Sequence, residues 1–122
     1  MYRSMMQAYV KKSPEAFEFY QKAFGARIVC RHENPDGTLA HAELDISGQI
    51  FALSELNDEA AVTGNTMQFC LHFGEGKEDI VQGIYDVLKD GATIDYPLGQ
   101  CDWSALMVSL TDKYGVRWCV FA

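Results

Sequence analysis

One order of patterns is written twice in this chain, and that duplication limits its fold more than any other feature. A stretch with helical spacing ends in Phe24-Gly25-Ala26-Arg27-Ile28, and a second ends in Asp90-Gly91-Ala92-Thr93-Ile94, with the two glycines 66 positions apart in 122 residues. In both copies a glycine suits the left-handed residue that closes a helix, and a strand-forming run follows it.

The first copy opens with residues 4–10, short and partly apolar, and then Lys11-Lys12-Ser13-Pro14-Glu15. Ser13 is expected to accept from the free amides of the first turn, Pro14 suits the first helical position, and Glu15 favours the positive end of the dipole. Ala16, Phe17, Tyr20, Ala23 and Phe24 recur on one face, which predicts a helix over 13–24. Arg27–Arg31 reads as a strand, Asn34-Pro35-Asp36-Gly37 as a tight turn, and residues 38–46 as a second strand. There Ala40, Ala42, Leu44 and Ile46 oppose Leu39, His41, Glu43 and Asp45, and Ser47-Gly48 turns the chain into a return strand over 49–54.

Residues 55–65 lose periodicity, and the pattern then restarts. Met67, Phe69, Leu71 and Phe73 alternate with Gln68, Cys70 and His72; Ile80, Ile84, Val87 and Leu88 form the expected stripe of a second helix that Gly91 ends. Strands are expected at about 92–96, 105–111 and 116–121, with Asp112–Gly115 as the last turn. The predicted fold class is α+β, two tandem βαβββ modules: about 1–55, a linker over about 56–65, and about 66–122, forming one domain over 1–122.

Composition excludes several functions. Ten basic against 17 acidic residues give a net charge of −7, which removes the electrostatic footprint of nucleic-acid or anionic-lipid binding. No apolar run is long enough to span a membrane, and the first residues carry no signal-peptide core, so the expected location is the cytoplasm. The four cysteines, at 30, 70, 101 and 119, have no C-x-x-C spacing. Cys30, Cys70 and Cys119 lie in apolar runs, where a free thiol ordinarily packs as a small hydrophobe. Gly74-Glu75-Gly76-Lys77 is no phosphate loop, and neither a G-x-S-x-G nor an H-E-x-x-H motif is present.

The module order, together with Phe19–Gly25, Ala40-His41-Ala42-Glu43-Leu44, Trp103 and Thr111–Trp118, resembles the vicinal oxygen chelate superfamily of glyoxalase I, bleomycin-resistance proteins and extradiol dioxygenases, in its PhnB-like branch. The resemblance implies curled mixed sheets around a cleft, helices on the convex side, a homodimer, and in many members a divalent metal held by His, Gln and Glu from the first and last strands of each module. Carried onto this sequence, those positions fall on Met5 or Gln7, Ala52, Gln68 and Cys119. Ala52 has no donor atom, and Cys119 stands where metal-binding relatives commonly keep Glu, so the ligand set reads as degraded and no tightly held metal cofactor is expected.

Strand alternation supplies the cleft candidates. If Ala42, Leu44 and Ile46 lie under the first helix, His41 and Glu43 face the other way, and by the same logic so do Gln68, Cys70, His72 and Cys119. Trp103 joins them as a residue suited to stacking on a planar ligand. A solvated sheet face explains the same polarity without any site. The preferred reading is a small-molecule-binding protein of the PhnB-like type. The alternative is a metal-dependent lyase, isomerase or thiol transferase using the same residues with a divalent metal, and a weaker third is a ferredoxin-like interaction domain.

Overall fold

The computed structural model describes residues 1–122. The chain divides into two compact units, Met1–Val62 and Thr63–Ala122, each holding one copy of the repeated pattern. The first contains β1 (Met6–Val10), α1 (Ser13–Phe24), β2 (Arg27–Glu33), β3 (Leu39–Ile46) and β4 (Gln49–Glu55), with strand order β1-β4-β3-β2. The second contains β5 (Phe69–His72), α2 (Glu78–Leu88), β6 (Thr93–Cys101), β7 (Ser104–Thr111) and β8 (Arg117–Phe121), in the order β5-β8-β7-β6. In each curled sheet the first and last strands run parallel and the other pairs antiparallel. This is the α+β arrangement of two βαβββ modules that the sequence predicts.

Helix α1 buries Ala16, Phe17, Tyr20 and Ala23, and the Tyr20 ring meets Phe51 of β4 edge-on at 5.1 Å. Leu44 pairs with Phe51 and Ala42 with Leu53, so these residues form the helix-facing side of the sheet. Gly25 ends the helix at φ 57°, as its position requires. The start differs from expectation. The residue before the helix is Lys12, left-handed at φ 54°, and Ser13 already lies inside the first turn. Its buried hydroxyl instead accepts the Leu39 N–H at 2.9 Å, while its own N–H donates to Glu55 Oε1 at 3.0 Å. Ser13 therefore fastens the helix start to β3, and a carboxylate from β4 does the capping.

Two β-bulges alter the alternation read from the sequence. The pairing shifts between His32 and Glu33, so that Glu33 opposes Leu39 and Ala40 becomes the extra residue. Leu39 is thereby fully buried and Ala40 exposed, the reverse of the predicted sides. A second shift between Ile28 and Cys30 brings Cys30 opposite Glu43.

In the second unit α2 packs on β7 and β8 through Val81, Ile84 and Leu88. Ile80, expected in that stripe, is 42% exposed, because one residue rotates a helix by about 100° and Val81 completes the 3-4 spacing with Ile84 and Leu88. Lys89 closes the helix in right-handed conformation, and Gly91, at φ 70°, comes two residues later. Strand β5 starts at Phe69, leaving Met67 exposed. Strand β6 runs on to Cys101 through Pro97, which a sheet edge with an irregular register tolerates. Trp103 consequently sits in the tight turn to β7. Trp118 anchors this unit: it is fully buried, and its indole N–H donates to Asp112 Oδ2 at 2.8 Å. Asp112 Oδ1 also accepts the Tyr114 and Val116 amides, which locks the last hairpin turn.

Candidate functional site

In the first unit a row of side chains crosses the sheet on the face opposite α1. Gln7 lies beside Ala52, Ala52 beside Glu43, and Glu43 beside Cys30. His41, two residues before Glu43 on the same strand, joins this face, so the helix is not where His41 and Glu43 point. The Glu43 side chain is only 3% exposed, and both its oxygens are used. Arg3, in the segment ahead of β1, donates Nη1 to Oε2 at 3.0 Å and Nη2 to Oε1 at 2.8 Å, a two-pronged clamp. His41 Nε2 lies 2.9 Å from the same Oε1. Arg3 first and His41 second hold the Glu43 carboxyl well below its ordinary range, at about 2, against the opposing effect of burial. Glu43 is thus a fixed anion at any physiological pH.

Arg3 and Cys30 are the members of this group that strand alternation did not nominate. Arg3 precedes any periodic segment and is tied to Glu43 across 40 positions. Cys30 reaches the row only because of the bulge before it, and a bulge leaves no mark in hydropathy. Gln7 Nε2 donates to Ser54 Oγ at 3.1 Å, Met5 is half-buried just ahead of β1, and Ala52 is fully buried.

In the second unit Cys70 of β5 lies directly beside Cys119 of β8, and His72 beside Phe121. The cysteines do not share the burial expected of packing residues: Cys119 is buried, Cys30 and Cys101 are half-buried, and Cys70 is exposed on an edge strand. Burial, and next the neighbouring Cys70, push the Cys119 thiol up to about 11, so it stays protonated at neutral pH. The His72 ring stacks on Phe121 with centroids 4.4 Å apart, and Trp103 meets Phe121 edge-on at 4.7 Å. A cavity of about 430 Å³ opens beside them, lined by His72, Gln100, Cys101, Trp103, Ser104 and three carboxylates from Glu75, Glu78 and Asp102. Gln68 is exposed ahead of β5, outside the paired region.

Residues 4–120 match the Glyoxalase/Bleomycin resistance protein/Dioxygenase superfamily. The chain belongs to that superfamily. Among solved structures it is similar to the PhnB protein from Bacillus cereus, with 25% identity, 98% of each chain covered and a TM-score of 0.80. It is also similar in fold to protein PA1353 from Pseudomonas aeruginosa, at 20% identity, with 98% of this chain and 97% of that one covered and a TM-score of 0.75. A variant of the fosfomycin resistance protein FosX from Listeria monocytogenes, complexed with Mn(II) and 1S,2S-dihydroxypropylphosphonic acid, shares the fold at 16% identity and a TM-score of 0.66, covering 98% of this chain and 90% of that one. No curated protein matches the chain in sequence.

The positions to which the resemblance carries the superfamily's metal ligands, Met5 or Gln7, Ala52, Gln68 and Cys119, form a poor donor set, and Gln68 lies ahead of β5, outside the strand pairing. Gln7 pairs with Ala52, and the residue beside Cys119 is Cys70 rather than Gln68. These paired residues offer one amide, one methyl and two thiols. A hard Mg or Mn ion requires several oxygen ligands, which these positions lack.

Proposed function

We propose that this protein binds a small molecule, in the manner of a PhnB-like member of the superfamily, without a tightly held metal at the superfamily's positions on the first and last strands of each module. The observation that carries this reading is the cavity of about 430 Å³, a size suited to a small ligand, with His72 and Trp103 on its wall. The aromatic lining, beside Glu75, Glu78 and Asp102, favours a planar ligand bearing positive charge. Cys70 and Cys119 stand on the strand faces next to His72 and Phe121 and belong to the same proposed ligand-facing surface, with Gln68 at its margin. In the first unit His41 and Glu43, ordered by Arg3, are the corresponding polar group. Family habit supports a homodimer, and the net charge of −7 favours a small molecule over nucleic acid or an anionic membrane as partner, in the cytoplasm expected from the sequence. The alternative is a metal-dependent lyase, isomerase or thiol transferase with ligands drawn from the same cleft residues in an atypical arrangement; Met5, Gln7, Ala52, Gln68 and Cys119 give it no support, and within the cleft group His41 and Glu43, with Cys30, are close enough to share an ion.

The test is titration with matched panels of planar cationic and planar anionic heteroaromatic compounds, read by quenching of tryptophan fluorescence and by calorimetry. Saturable binding of a cationic compound that Trp103→Ala weakens by more than about tenfold supports the reading. Absence of saturable binding across both panels, or binding indifferent to Trp103→Ala and His72→Ala, overturns it. Sedimentation equilibrium of the purified chain is expected to give twice the mass of one chain.

A further inference from the structure

Cys30, His41 and Glu43 bring a thiol, an imidazole and a carboxylate to one point, with Sγ, a ring nitrogen and a carboxylate oxygen all within 4.8 Å of one another. The strands impose this convergence. Cys30 and Glu43 are cross-strand partners, and His41 reaches back along its own strand to stand 2.9 Å from Glu43 Oε1. None of the three lies on the first or last strand of a module, where the superfamily's metal is expected: Cys30 is on β2, and His41 and Glu43 are on β3. We infer that Cys30, His41 and Glu43 form a separate site for a borderline divalent cation of the zinc type.

The donor set decides the class of ion. One sulfur, one nitrogen and one carboxylate oxygen match Zn²⁺, and also Co²⁺ as its spectroscopic substitute, whereas Mg²⁺ and Ca²⁺ require oxygen ligands throughout. Ligand bonds of about 2.0–2.3 Å place tetrahedral donors about 3.3–3.8 Å apart, so the widest separation in the group must close by up to about 1 Å, while His41 Nε2 and Glu43 Oε1, 2.9 Å apart, must open slightly. Three protein ligands leave a fourth position for water or for a donor atom of a bound molecule.

Arg3 occupies the carboxylate in the absence of the ion, and its role follows from charge. A carboxylate that is 3% exposed requires a cation, and the guanidinium supplies it from a side chain that is itself 46% exposed. When Cys30 coordinates, its thiol proton passes to solvent. The ion, thiolate and carboxylate then sum to zero, and the guanidinium is free to swing into water. Arg3 is therefore a competitor of the metal, and its removal strengthens binding.

The experiment is titration of the reduced, metal-free full chain with Co²⁺, followed by displacement with Zn²⁺. One thiolate-to-cobalt charge-transfer band per chain is expected, bleached by an equivalent of Zn²⁺, absent in Cys30→Ser and retained in Cys70→Ser and Cys119→Ser. His41→Ala is expected to weaken Zn²⁺ by more than about tenfold, and Arg3→Ala to tighten it several-fold. Should Cys30→Ser fail to fold, protection of Cys30 from alkylation by Zn²⁺ in the natural sequence, read by peptide mass spectrometry, supplies the same answer. A band that survives in Cys30→Ser, a band that disappears in Cys119→Ser, or no protection of Cys30 overturns the inference. None of these readouts depends on the cavity beside Trp103 binding anything.

Discussion

Glu43 shows how one side chain is set by partners far from it in sequence. Its folded-state value of about 2, against 4.5 ordinarily, means that folding gains from the charged form. The gain is complete above about pH 4.5 and is lost as pH falls through about 2. Urea denaturation of the natural protein and of Glu43→Gln is therefore expected to show a stability difference that narrows steadily across that interval. A constant difference would show that the carboxylate charge contributes nothing.

The two adjacent cysteines differ in the opposite sense. Exposed Cys70 is expected to alkylate first at pH 8, and Cys119, buried and held protonated, more than about tenfold more slowly. Peptide mass spectrometry after timed quenching distinguishes them. At this scale, alternation sufficed to place His41 and Glu43 away from the helix. It did not find Arg3, whose partner lies 40 positions away, or Cys30, which a bulge brings into line.

Elements were legible where a local rule set them. Helix α1 spans Ser13–Phe24, the range the spacing predicts, because Pro14, the apolar stripe and Gly25 agree with one another. Gly25 sits at φ 57° with open space around its Cα, so Gly25→Ala is expected to cost about 1 kcal/mol from backbone conformation alone, measurable by chemical denaturation. Ser13 was legible as important but not for its role. Ser13→Ala strands the Leu39 amide among buried residues and is expected to cost about 1–3 kcal/mol, more than a lost surface cap. The longer β6 and the substitution of Val81 for Ile80 escaped the sequence for a common reason. Edge irregularities and the rotation of a helix about its axis are decided by packing against the sheet, and several rotations satisfy the same periodicity.

For the molecule as a whole, each unit of about 60 residues is near the lower limit at which a chain buries enough surface to fold alone. Both tryptophans, Trp103 and Trp118, lie in the second unit, so fluorescence reports that unit while far-ultraviolet circular dichroism reports both. The two signals are expected to give one coincident urea transition; separated midpoints would mean that the units are independently stable. By itself the sequence determined the duplicated βαβββ order, the helix over 13–24, the hairpin turns and the net negative charge. Each of these follows from periodicity, turn chemistry or net charge, which are local or additive. The tertiary structure alone decided the clamp of Arg3 on Glu43, the convergence of Cys30 with His41 and Glu43, the pairing of Cys70 with Cys119 and the cavity beside Trp103. These depend on strand register and bulges, and one residue of register changes every neighbour across a sheet.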